Sequence, residues 1–170
     1  MAKDEVIRRN ETPAERADRN FDDILQELRV TQTGVQVLFS LLLTVPFTQR
    51  FDRVTDFQRD IYFVALLLAA ATTILLVAPV SVHRLLFHTG EKPWVVKVSS
   101  RLAVAGLVTL CLTLTTVLLF VSDVLFEGTV ATVTATVFAV ATVTLWFVPP
   151  LLRLRTAPAR AAARRPPPST

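Results

Sequence analysis

Four blocks of this chain, Val30–Phe47, Ile61–Val82, Leu102–Ser122 and Thr129–Val148, contain no Asp, Glu, Lys or Arg. Each is close to the ~20 residues a helix needs to cross a bilayer core. Inside hydrocarbon every backbone N–H and C=O must be paired within the protein, which leaves helices or closed barrels. The fourth block, rich in Thr, Val and Ala, reads as a strand by propensity. An open strand would leave its backbone unpaired in lipid, so a helix is the expectation there too. The blocks therefore predict an all-α, integral membrane four-helix bundle, up-down-up-down, with spans at about 29–46, 61–82, 102–122 and 129–148. Apolar residues make up 52% of the chain, and their concentration in blocks carries the signal more than their total.

The polar segments between and around the blocks give the organisation. Residues 1–11 are of mixed charge and read as a disordered tail. Residues 12–155 form one membrane domain, and 156–170 are a disordered Arg/Ala/Pro tail. Thr12-Pro13-Ala14-Glu15 has the form of a helix start with a capping box. From there Phe21, Ile24, Leu25 and Leu28 make an i, i+3, i+4, i+7 stripe, with Asp22, Asp23 and Glu27 off it. This is an amphipathic cytoplasmic helix, packing against the other helices or lying on the membrane. The first 27 residues are polar, without the short apolar core of a cleavable signal. Pro46 is expected to end the first span, Pro79 to bend or end the second, and Pro149-Pro150 to stop the fourth. Residues 49–60 read as a solvated turn in which three arginines neutralise three aspartates. Glu91–Lys97 has the form of a segment skimming the head groups, anchored by Trp94.

The first block carries a polar line. Gln32, Gln36, Ser40 and Thr44 stand four apart, which stacks them on one slowly drifting helix face. A glutamine facing hydrocarbon leaves its amide unpaired, so this face is expected to turn inward. It should meet the small or threonine-bearing faces of other spans, such as Ala65/Ala69/Thr73 or Thr132/Thr136. Gln32, Thr33, Gln36 and Ser40 are the candidate functional polar face. Candidate lipid head-group contacts are His83, Arg84, His88, Arg101 and Arg153, at the ends of apolar blocks where long basic side chains reach phosphates. His83 and His88 are five apart, on different helix faces, and make a poor metal pair.

Two stretches resemble a known family. Leu28-Arg-Val-x-Gln-Thr-Gly-x-Gln36 and Ala78-Pro-Val-Ser-Val-His-Arg-Leu-Leu-Phe87 are similar to the two motifs of an uncharacterised family of small four-span membrane proteins from high-GC Gram-positive bacteria. The similarity covers roughly Asn20 to Arg155. It implies a four-span fold and no particular activity. It makes Gln32, Thr33, Gly34 and Gln36 the shared part of the polar line, since position 40 is more often alanine in the family pattern. A sodium–proton antiporter role, attached to some members, would need an ionisable group near the membrane midplane. No span of this chain holds one.

The remaining chemistry narrows the function. There is no phosphate-binding glycine loop, zinc-protease helix or serine elbow, and the acids lie only in tails and turns. The lone Cys111 has no partner for an intramolecular disulfide or a metal site. The expectation is a non-catalytic integral membrane protein, a structural or interaction component with no cofactor and no metal. The alternative is a small transporter or pore, as a homo-oligomer, using the Gln/Thr-lined first span. The net charge of +4 sits at block edges, which fits anionic lipid head groups better than nucleic acid. Partners are then membrane lipids, further copies of the chain, or another membrane protein. The positive-inside rule places both termini in the cytoplasm and the chain in the cytoplasmic membrane.

Overall fold

Phe21, Leu28, Val35 and Leu42 stand seven apart in sequence, and all four are buried. They lie on one helix, α1 (Pro13–Thr44), which runs without a break from the amphipathic segment into the first apolar block. In a computed structural model of the protein, described for residues 13–86, 92–126 and 128–163, three more long helices follow. These are α2 (Asp56–Leu86), α3 (Lys92–Phe126) and α4 (Thr129–Ala163). Among the described residues there is no strand, and all four helices are long and apolar enough to cross a membrane. The fold is all-α, as expected.

The buried positions repeat at 3.5 residues on α2 as well. Gln58, Ile61, Ala65, Ala69, Thr72, Leu76 and Pro79 follow one another at steps of three and four. On α4 the buried residues Ala131, Ala135 and Thr142 keep the same register. This is the period at which helices keep a common seam by coiling slightly about each other. Most of what is fully buried is small or hydroxylated: Ala65, Ala69, Thr72, Ser99, Thr113 and Ala131 have no exposed surface, alongside the larger Leu76. What is exposed is large and apolar, as at Val30, Phe63, Ile74, Val137 and Leu145. A water-soluble protein has the reverse arrangement. Small interiors with apolar exteriors are what helices packing in lipid adopt, where close backbone approach replaces the hydrophobic drive.

The chain divides into two units: Met1–Arg53 with Leu66–Leu110, and Val54–Ala65 with Cys111–Thr170. In the first unit α1 and α2 run antiparallel, because the Phe21 ring near the start of α1 stacks on the His83 ring near the end of α2. The centroids are 4.3 Å apart and the planes 22° from parallel. In the second unit the start of α2 meets the end of α3 through Gln58 and Asp123, and Tyr62 packs on Phe120 at 5.6 Å.

The element ends depart from expectation in three places. α1 stops at Thr44 and a single 3-10 turn, Val45–Phe47, carries Pro46, which agrees with the proline argument. At Pro79, by contrast, α2 continues to Leu86, and α4 runs through Pro149-Pro150 to Ala163. Proline within a membrane helix is tolerated where neighbouring groups satisfy the freed carbonyls. The Trp94 segment is not a separate skimming piece but the first turns of α3. Each helix has 31 to 35 residues, about 46–53 Å at 1.5 Å per residue, against a core of about 30 Å. The helices therefore extend well beyond their uncharged blocks.

Candidate functional site

The polar line of α1 splits. Gln32 is half-buried, and its Nε2 donates to the carbonyl of Leu76 on α2 at 2.5 Å. Thr33, Gln36, Ser40 and Thr44 are exposed. The expectation that the whole line turns inward is thus corrected. An i+4 step turns 40° too far on a helix of 100° per residue. Gln36 and Ser40 therefore sit about 40° and 80° round from Gln32. The residues that stay on the packed face are those seven apart, from Phe21 to Leu42.

The inward half of the line is a three-helix node within the first unit. Leu76 is fully buried, and Gly106 of α3 lies against it. A Cβ at position 106 would stand 3.0 Å from Leu76 Cγ and 3.7 Å from Leu75 Cβ. Only glycine leaves the room this approach requires. The expected partners Ala65/Ala69/Thr73 and Thr132/Thr136 are not what Gln32 bonds. The carbonyl that Pro79 deprives of its helical donor is that of Leu75, one residue before the acceptor that Gln32 uses. Thr72 and Thr73 bond back to Leu68 and Ala69 in their own helix, at 2.8 and 2.9 Å.

The outward half forms a shallow groove lined by Thr33, Gln36, Val37, Ser40, Leu41 and Thr44. Its hydroxyl hydrogens are already used: Thr33 donates to Arg29 O at 3.0 Å, Ser40 to Gln36 O at 2.8 Å and Thr44 to Leu41 O at 2.7 Å. Their oxygens remain free to accept. The amide of Gln36 makes no hydrogen bond among the described residues. A second groove lies along the same helix nearer its start, lined by Asp23, Gln26, Glu27 and Val30. α1 is also the least covered span, with 11% of its apolar window buried against 33% for α2.

Of the basic candidates, His83 and Arg84 stand in the last turn of α2, whereas Arg101 lies nearly three turns into α3 and Arg153 ten residues before the end of α4. Arg84, Arg101 and Arg153 are exposed. His83 is half-buried with one ring face taken by Phe21, which leaves it less available to a head group than its position suggested. His88 lies outside the described residues.

One polar residue escaped the sequence reading. Gln58 is buried although it stands in the charged turn 49–60. Thr55 and Gln58 form a reciprocal capping box at the start of α2: Thr55 N donates to Gln58 Oε1 at 3.1 Å, and Gln58 N donates to Thr55 Oγ1 at 3.2 Å. The Gln58 amide then donates to Asp123 Oδ2 at 3.0 Å and to Asp123 O at 3.3 Å. The Thr-x-x-Gln spacing was the available signal. Around it, the Arg59–Asp56 pair at 3.6 Å is exposed and holds little.

No curated protein matches the chain, and no solved structure does. The model of one family, described as a family of unknown function (DUF6328), matches residues 10–150. That match takes in all four apolar blocks and both faces of α1, and the chain belongs to that family.

Proposed function

We propose that this chain is a non-catalytic integral protein of the cytoplasmic membrane, a structural or interaction component that works through the outward strip of its first span. The observation that supports the reading is Gln36. It lies six residues past the start of the uncharged block, about 9 Å in at 1.5 Å per residue, and its amide is exposed and unbonded. An amide without partners in hydrocarbon costs several kcal/mol. A strip bearing one, beside three hydroxyl oxygens able to accept, is suited to contact with another protein in the membrane plane.

Orientation follows from charge. Fifteen of the eighteen Lys and Arg residues fall in the amino-terminal segment, the second loop and the carboxyl-terminal segment, against three in the first loop. The first group faces the cytoplasm under the positive-inside rule. Arg84, Arg101 and Arg153 then lie at the cytoplasmic head-group level, where they contact anionic lipid phosphates. A transport path along the first span is the weaker alternative, because Gln32 is turned away from the strip and held by Leu76.

A nitroxide label tests the reading. In a Cys111→Ala background, Val37→Cys reports on the strip and Ile74→Cys on an α2 position that is 69% exposed. In membranes, oxygen collision at position 74 should match that of lipid, and position 37 should be shielded. Equal, full accessibility at both would show the strip facing lipid and remove the proposal.

A further inference from the structure

The outward strip of α1 has a period of its own. Gln26, Val30, Thr33, Val37, Ser40 and Thr44 follow at steps of four and three, and all are exposed. This is the 3.5-residue seam of a helix pair. It lies on the side of α1 opposite the buried seam of Phe21, Leu28, Val35 and Leu42. The first seam is filled within the chain; the second is not. Its members from Val30 onward are β-branched or small, which permits close approach between helices in lipid.

We infer that the occupant of this seam is a second copy of the chain, packed α1 to α1 in parallel about a two-fold axis along the membrane normal. This inference rests on the reading of the strip as an interaction surface. Three observations select a second copy. First, copies inserted in one bilayer share an orientation, so their α1 helices run parallel and identical residues face each other across the axis. Second, the strip is self-complementary in hydrogen bonding. The oxygens of Thr33, Ser40 and Thr44 have spent their hydrogens and can only accept. The amide of Gln36, flanking the seam beside Val37, brings two unspent donors. Two copies satisfy each other without any third group. Third, charge sets where the seam stops. Asp23, one step before Gln26, would face its own image, and like charges there confine the contact to Gln26–Thr44.

Disulfide trapping of the full chain in native membranes tests this. With Cys111→Ala as background, single cysteines are placed at Thr33, Val37 and Ser40 on the seam, and at Ile74 as an exposed control. Brief oxidation should yield covalent dimer at 33, 37 and 40 at least fivefold above position 74. Yields equal to the control would overturn the second copy. A photoreactive residue at Val37 in the same membranes separates the two readings. Self-adducts support the inference. Adducts with a different protein and none with the chain itself overturn the second copy but keep an interaction role for the strip. Adducts with lipid alone overturn both.

Discussion

The side-chain amide of Gln32 donates to the main-chain carbonyl of Leu76, 44 residues further on. One turn later on the same helix, Gln36 has no such bond and faces outward. Two glutamines of one motif therefore have different duties, and substitutions separate them.

Gln32→Leu should weaken the fold modestly. A membrane interhelical hydrogen bond contributes about 0.6 kcal/mol and at most about 2 kcal/mol, since the unfolded chain in lipid also finds partners. Equilibrium unfolding in bicelles should show a loss in that range. Gln32→Glu should cost more, because it removes the donor and adds a charge beside a carbonyl.

Gly106→Ala should destabilise despite its small size. The new methyl would press on Leu76, and overpacking of this kind costs about 1–3 kcal/mol. Leu76→Ala makes room at that point. The double substitution should therefore lose less than the two single losses added together, a coupling read from a double-mutant cycle.

Gln58→Ala removes both the capping box of α2 and the tie to Asp123. Loss of a cap costs about 1 kcal/mol, and the half-buried Asp123 carboxylate also loses its donor. Limited proteolysis should cut the segment 48–55 faster in this variant than in Arg59→Ala, whose exposed pair with Asp56 contributes little.

Much of the fold is legible in the sequence. The uncharged blocks locate the four helices. The Phe21/Ile24/Leu25/Leu28 stripe gives the packed face of early α1, where Phe21 and Leu28 are buried and Asp22, Asp23 and Glu27 exposed. The inner face of the first span was less accessible to such reasoning. Residues four apart draw the eye to the glutamines, whereas packing follows the sevenfold repeat that Val35 and Leu42 continue. The acceptor of Gln32 is a backbone carbonyl, and no side-chain pattern marks it. Gln58 was hidden because a charged turn reads as solvated even when a capping box lies within it. Pro149-Pro150 reads as a stop because the rule comes from water, where nothing replaces the lost bond.

Orientation gives another prediction. A reporter fused after Arg165 should be active when it requires the cytoplasm and silent when it requires export. The same reporter placed between Thr48 and Arg50 should give the opposite result. Moving the bias by Arg84→Ala with Arg101→Ala should leave the orientation unchanged, because thirteen of the remaining sixteen bases still favour it.

The two-faced nature of α1 is tested most directly by measuring unfolding and self-association together for Gln32→Leu and Gln36→Leu. Unfolding is followed in bicelles, and self-association by energy transfer between differently labelled copies in liposomes. Gln32→Leu should lose about 0.6–2 kcal/mol of stability and still associate. Gln36→Leu should keep its stability to within about 0.5 kcal/mol and associate at least fivefold more weakly. The opposite pattern, with association unchanged in Gln36→Leu and stability unchanged in Gln32→Leu, would contradict the account.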